Sequence, residues 1–192
     1  MIIGSHNSWS YLAPKKLWMK TLAFTAKCQR KTIREQYDIY GVRCFDLRVR
    51  FIDNVPHVVH NDFDYGSFAS IEKDIVWLNE KGDVVIRVLH DVRQKKEYKE
   101  NDVQRFCSFC EKLELTYTRI AFWCGRNLYN WQVDYRFQFD PICVEKYSSV
   151  CPPKIIDDWL PIIYAKIHNK EIREEWSNLG KDDILLIDFV DI

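Results

Sequence analysis

The chain has 192 residues, 47% of them hydrophobic, and its 28 Lys+Arg balance 28 Asp+Glu to a formal net charge of zero. That length suits one domain, and the balanced charge argues against a non-specific nucleic-acid binder, which needs a basic excess to neutralise phosphates. The composition excludes disordered and collagenous classes, and no run approaches the ~20 apolar residues of a membrane helix.

Met1-Ile2-Ile3-Gly4-Ser5-His6 carries no basic n-region and no long apolar run, so the reading is a chain without a signal peptide, in the cytoplasm. Seven cysteines, an odd number, then read as reduced and mostly buried thiols.

Short β-rich runs alternate with longer polar or helical stretches, the pattern of an α/β protein. A first run at 2–4 leads into a helical region near 14–40, followed by runs at 42–51 and 56–60. A helix near 70–80, a run at 83–89 and a helix near 101–113 come next. Runs at 117–123 and 136–144, a helix near 155–176 and a last run at 184–190 complete the series. Pro161 breaks or starts a helix within that last helical stretch. Six or seven strands with intervening helices suit a closed parallel barrel or an open doubly wound sheet. No Gly-rich loop follows the first run, which argues against a Rossmann or P-loop nucleotide site. Cys107 and Cys110 form a CxxC without a second metal-binding pair, so packing on the apolar face of a helix, with Phe106, is the favoured reading over metal or redox chemistry.

The most informative segment is Cys44-Phe45-Asp46-Leu47-Arg48-Val49-Arg50-Phe51, which alternates with period 2 as a strand does. Phe45, Leu47, Val49 and Phe51 make one face, and Asp46, Arg48 and Arg50 the other. In an antiparallel sheet the polar face meets solvent. In an α/β barrel helices cover the apolar face, and Asp46 and Arg48 point toward the axis as buried charges that need partners or a substrate. His6 and His60 close two other runs, and Asp188 stands in the apolar run Leu186-Ile187-Asp188-Phe189. At the C-terminal mouth of a barrel, two histidines, an arginine and two carboxylates make an acid–base site for an anionic ester. One imidazole takes a proton, the other returns one, and the guanidinium neutralises charge on phosphorus.

Gly4-Ser5-His6-Asn7-Ser8, then Gly41-Val42-Arg43-Cys44-Phe45-Asp46-Leu47-Arg48, then Val58-Val59-His60, in this order and spacing, resembles the X domain of phosphatidylinositol-specific phospholipases C. The resemblance runs across nearly the whole chain as one catalytic domain, strongest in the first 60 residues. It implies a distorted, abbreviated TIM (β/α) barrel, shorter than the ~250 residues typical of that fold, with trimmed loops or a missing strand. It implies attack of an inositol 2-hydroxyl on the adjacent phosphate, releasing diacylglycerol and a cyclic inositol phosphate. Carried onto matching positions, His6 is the general base and Asp188 orients it. Arg48 binds the phosphate, His60 protonates the leaving oxygen, and Asp46 holds the network beside Arg48.

Animal members of that family hold calcium with an Asn, two acidic residues on the second strand and a Glu on the fourth. This chain has Asn7 and Asp46 but Arg48 and Leu89 at the other two positions. Calcium takes six to eight oxygen ligands, and a fixed cation repels it; the implication is a metal-free enzyme with no cofactor. The sequence departs from the bacterial members at Asn7, where their Asp supports the acid histidine.

Substrate-binding candidates are Asn7, Arg87 (on the strand face of Leu89), Arg126 within the aromatic stretch 123–131, and Glu145 and Tyr147 after the sixth run. The segment Trp9 to Lys20 mixes Trp, Leu, Met and Lys. It reads as a helix packed on the barrel or as an interfacial lipid contact, and the neutral charge implies that any membrane attachment is transient. The expected partner is a phospholipid or inositol phosphodiester. Two alternatives remain open: a phosphodiesterase for another lipid or a soluble phosphodiester, and a weakly active module that binds phospholipid or inositol phosphate.

Overall fold

The computed structural model describes residues 1–91, 100–126, 148–150 and 161–192. Its strands are β1 (Ile2–Ser5), β2 (Cys44–Ile52), β3 (Val55–His60), β4 (Phe63–Ser67), β5 (Val85–His90), β6 (Ala121–Arg126), β7 (Ser148–Val150) and β8 (Asp183–Ile187). The helices are α1 (Leu17–Leu22), α2 (Ile33–Asp38), α3 (Glu72–Lys81), α4 (Glu100–Thr116) and α5 (Pro161–Glu175), with short 3₁₀ turns at Ala23–Thr25 and Phe68–Ser70.

Six strands run parallel in the spatial order β6-β5-β2-β1-β8-β7. The first and last strands are therefore neighbours, with Ile2 opposite Ile184 and Ser5 opposite Ile187, the adjacency a barrel requires. The ring does not close: among the described residues β6 and β7 have no further partner. The expected barrel is thus corrected to a mixed, open sheet that is barrel-like in part.

The sheet is mixed for a local reason. Asp53 and Asn54 both take positive φ (51° and 67°) between the paired residues Ile52 and Val55, a turn that Asp and Asn tolerate and that folds a strand straight back. Consequently β3 lies antiparallel on the second half of β2, where a barrel repeat would insert a crossover helix, and β4 continues the antiparallel ribbon.

The alternation in β2 sorts the sheet into two faces. Phe45, Leu47 and Val49 are fully buried in the main core with Ile86, Val88, Phe122, Leu185 and Ile187, joined by Ile75 and Leu78 of α3 and Phe106 and Leu113 of α4. Cys44, Val85, Ile184 and Leu186 form a second, smaller cluster on the opposite face. Gly4 lies in that second cluster, where a Cβ would come within 2.6 Å of Leu186 Cδ2. Further along the same inner face the apolar layer gives way to charge: Asp46 and Arg48 on β2, Arg87 on β5, and Asp188 beyond β8. That is the layering of a barrel interior, apolar at the base and reactive at the C-terminal end.

Local signals set the helix boundaries. Thr32 caps α2 in a reciprocal box, its side chain accepting from Glu35 N–H while its own N–H donates to the Glu35 carboxylate at 2.9 Å. The single helical region expected over 14–40 is instead α1, a 3₁₀ turn and α2, because the loop between them turns Ala26, Cys28 and Gln29 inward. The run expected at 117–123 begins later, at Ala121, since Tyr117 N–H still bonds Leu113 O at 2.8 Å in the final turn of α4. Cys107 and Cys110 lie on α4 as free thiols; Cys110 is buried with Phe106, whereas Cys107 is partly exposed and not part of that face.

Candidate active site

The dyad of His6 and Asp188 is built by the adjacency of β1 and β8. His6 N–H donates to Ile187 O at 2.9 Å, which brings the end of β1 beside the end of β8. His6 Nδ1 lies 2.7 Å from Asp188 Oδ1. A carboxylate accepts only, so Nδ1 carries the proton and Nε2 presents a lone pair. That lone pair faces two donors, Arg48 Nη2 at 2.7 Å and Asn7 Nδ2 at 3.2 Å.

Asp46 is the electrostatic centre. It is 1% exposed and accepts from Arg48 Nε at 3.2 Å, Arg87 Nη1 at 3.0 Å and Asn7 N–H at 3.1 Å. Burial alone pushes its carboxyl up, but Arg48, Arg87 and His6 outweigh that and hold it far below the usual carboxylate range. Arg48 is likewise disfavoured by burial yet held cationic by Asp46 and Asp91. Arg87 also lies over the Trp123 ring, 5.5 Å from its centre.

The Ser5-to-Ser8 turn locks this arrangement. Ser8 Oγ donates to Ser5 O at 2.8 Å and accepts from Asp46 N–H at 2.8 Å. Asn7 adopts the left-handed conformation, φ 46°, tolerated by Asn. Phe189, directly after Asp188, does so at φ 48°, an uncommon state for a bulky residue that surrounding bonds must enforce. Phe189 N–H donates to Cys28 O at 2.6 Å, and Asn169 Nδ2 of α5 donates to Asp188 O at 2.8 Å. Gln29 adds a clamp, its amide donating to Ile187 O at 2.8 Å and accepting from Val190 N–H at 3.1 Å.

His60 arrives by a different route. It closes β3, which runs antiparallel to β2, so it does not lie at a parallel strand's C-terminal end as expected; the hairpin carries it back beside Arg48. Its ring is edge-on to His6, centroids 6.0 Å apart. His60 Nδ1 donates to the Ala26 carbonyl at 2.7 Å, so a main-chain oxygen does the orienting that the sequence comparison assigned to residue 7. Asn7 turns instead toward His6 and, at 3.6 Å, Cys28 Sγ.

Burial lowers the pKa of both histidines below the ordinary 6.5. For His6, Asp188 opposes and Arg48 assists; for His60, Arg48 and His6 deepen the shift, which carries it well below that value. Both are neutral in the free protein near pH 7.

Asn7, Trp9, Asp46, Arg48, His60 and Tyr65 line one hollow, with Ser10, Val58 and Val59 completing its wall. Of the sequence candidates, Asn7, Asp46, Arg48 and His60 share that wall, and His6, Arg87 and Asp188 adjoin it through their bonds to Arg48, Asp46 and His6 respectively. The side chain of Arg126, and Glu145 and Tyr147, lie outside the described residues. Sequence reasoning missed Cys28, Gln29, Tyr65, Asn169 and the Ala26 carbonyl. No chemical motif marks these; their only signal is polar character next to apolar runs.

His6, Cys28 and Asp188 bring three potential metal-ligand atoms within 4.8 Å of one another, all buried. The cluster offers a single carboxylate, far from calcium's six to eight oxygens. The Arg48 guanidinium 2.7 Å from His6 Nε2 opposes a second cation, and Leu89, buried, supplies no ligand.

No protein-family model and no curated protein matches the chain. Among solved structures it is similar to a variant of the phosphatidylinositol-specific phospholipase C from Staphylococcus aureus, at 16% identity and a TM-score of 0.64, covering 100% of this chain and 85% of that one. At that identity the likeness is one of fold.

Proposed function

We propose that the protein is a phosphoric diester-cleaving enzyme of the phospholipase C type, acting on a phosphatidylinositol-like lipid without a metal ion. One observation carries this reading: two imidazoles with ring centroids 6.0 Å apart stand beside one guanidinium, which bonds His6 and shares a hollow with His60, while a carboxylate fixes the tautomer of His6. His6 Nε2 takes the proton from the attacking hydroxyl, and the imidazolium that forms is stabilised by Asp188 on Nδ1. Arg48 neutralises charge on the phosphoryl oxygens, while Asp46 and Arg87 position it. His60, its Nδ1–H fixed on Ala26 O, delivers a proton from Nε2 to the leaving oxygen. Burial first, then Arg48, keeps His60 neutral in the free protein; a bound phosphodiester anion beside Arg48 offsets that cation and favours protonation of the acid as the substrate binds.

The neighbouring surface suits a lipid substrate. Leu17 and Trp18 on α1 are 78% and 60% exposed, and Leu22 and Phe24 are also exposed. Lys15, Lys16 and Lys20 are exposed around them. Apolar side chains ringed by lysines are suited to an anionic membrane surface, and this segment leads directly to Ala26. No helix among the described residues is long and apolar enough to cross a membrane, so contact is by surface docking. The segment from Trp9 to Lys20 combines the two readings its sequence allows: Trp9 and Met19 are buried, Leu17 and Trp18 are not.

The test is turnover of phosphatidylinositol vesicles in the presence of chelator by the wild-type protein, His6→Ala and Arg48→Lys. Turnover indifferent to chelator and reduced at least about 10²-fold in both variants supports the mechanism. Lipid binding without turnover in the wild type refutes it.

A further inference from the structure

Two polar atoms of the hollow have no hydrogen-bond partner among the described residues: Tyr65 Oη and Asn7 Oδ1. Tyr65 is 5% and Asn7 4% exposed, so neither faces bulk solvent, and both residues line the hollow with Arg48 and His60. Buried hydroxyls and amides are nearly always paired, and leaving one unpaired is costly. Phenylalanine would fill the same space on β4 against Val58 and Trp9 without that cost. In the free protein the hydroxyl therefore costs stability.

Its surroundings define what it meets. The phenol lies close enough to Cys28 to be affected by that thiol, and burial first, then Cys28, push its pKa up, so it is a neutral O–H donor. Cys28 Sγ in turn lies 3.9 Å from His60 Nδ1 and 3.6 Å from Asn7 Nδ2. A donor sharing a hollow with a guanidinium favours an anionic oxygen. Asn7 Oδ1 is an acceptor only and requires an O–H on the same ligand.

We infer that Tyr65 is a substrate-binding residue, donating its hydroxyl to a phosphoryl oxygen held by Arg48, while Asn7 Oδ1 accepts from a hydroxyl of the same ligand. The hollow has a volume of about 10 Å³, room for one oxygen-sized group, so it takes a single oxygen of a phosphoryl group that carries, or neighbours, a free hydroxyl. The inference deepens the phosphodiesterase reading, yet the phosphoryl contact can be tested apart from it, since inorganic phosphate presents both features.

The experiment compares wild-type protein with Tyr65→Phe in three measurements: thermal stability without ligand, calorimetric binding of inorganic phosphate, and turnover of phosphatidylinositol vesicles. Tyr65→Phe is expected to melt at the wild-type temperature or above it, because an unpaired hydroxyl has been removed. It is expected to bind phosphate about ten- to a hundred-fold more weakly, the range for a hydrogen bond to a charged group, and to lose turnover by a similar factor. A wild-type protein that binds phosphate through Tyr65 but turns over no lipid leaves this inference standing and removes only the lipid-cleaving reading. Equal phosphate affinity in the two proteins, no phosphate binding in the wild type, or a clearly lower melting temperature in Tyr65→Phe each overturns it, the last because the hydroxyl would then be a structural partner.

Discussion

Replacing Asp46 by Asn probes the electrostatic centre with the least change of shape. Asp46 answers two cations, Arg48 at 3.2 Å and Arg87 at 3.0 Å, and its side chain is fully buried. Breaking a buried ion pair from one side costs about 3–5 kcal/mol, because the partner charge remains without compensation. At about 1.4 kcal/mol per tenfold change, that is roughly a 10²- to 10³·⁵-fold loss in the folding constant. Asparagine keeps one acceptor oxygen but turns an N–H₂ toward a guanidinium, so little is recovered. Urea unfolding followed by tryptophan fluorescence at fixed salt measures the loss. Removing the second cation should then help: Asp46→Asn/Arg87→Met is expected to be more stable than Asp46→Asn by at least about 1 kcal/mol. A single-variant loss below about 1 kcal/mol, with no gain in the double variant, refutes the assignment of Asp46 as counter-ion to both arginines.

Further expectations concern acidity, packing and the surface. Folding keeps His6 and His60 neutral by lowering their pKa below 6.5. The unfolded chain therefore binds more protons below that pH, and stability, fully present above about 6.5, declines as pH falls through the folded values. Urea midpoints at about pH 7.5 and 5.5 should differ in that direction, and by less in His60→Gln, where His6 alone contributes; a flat wild-type profile contradicts the reading. The proposed turnover uses neutral His6 and protonated His60, and kcat/KM reports the free-enzyme pKa values of both, so it should peak on the acid side of 6.5 and fall as pH rises, whereas a peak near pH 8 would exclude these roles. Gly4→Ala places a methyl 2.6 Å from Leu186 Cδ2 and 2.9 Å from Ile184 Cγ2. It should cost about 1–3 kcal/mol by overpacking, read from the same urea titration. Trp18→Ala with Phe24→Ala should weaken sedimentation with anionic vesicles by about tenfold or more while leaving the urea midpoint within about 0.5 kcal/mol of wild type.

Much of the site was legible because its residues sit in strongly patterned strands. The period-2 alternation of Cys44 to Phe51 appears as β2, with Phe45, Leu47 and Val49 in the main core and Asp46 and Arg48 on the inner face. The choice between an outward and an inward polar face was not decidable from that segment. It depended on β5 and β8, whose own alternation places Arg87 and Asp188 on the same side. The hairpin arm was the weak point. Phe63-Asp64-Tyr65-Gly66-Ser67 contains a glycine and an aspartate that mark a turn in sequence, yet it forms β4 by pairing with β3, and Tyr65 was overlooked with it. Likewise nothing in Gln29 or Ala26 shows that their loop is buried. Their roles are made by main-chain and amide bonds to residues more than 30 positions away, His60 for Ala26 O at 2.7 Å and Ile187 for Gln29 Nε2 at 2.8 Å.

The pairing of β1 with β8 has a consequence for when reactivity can arise. His6 and Asp188 are separated by 182 positions, so a ribosome-bound chain carries its imidazole long before the aspartate that aligns it has been made. Under the proposed mechanism, a polypeptide that stops short of Asp188 holds the base without its guide, and activity waits for the second half of the dyad. Any proteolytic cut that frees the last strand should silence the protein even where the remaining sheet survives.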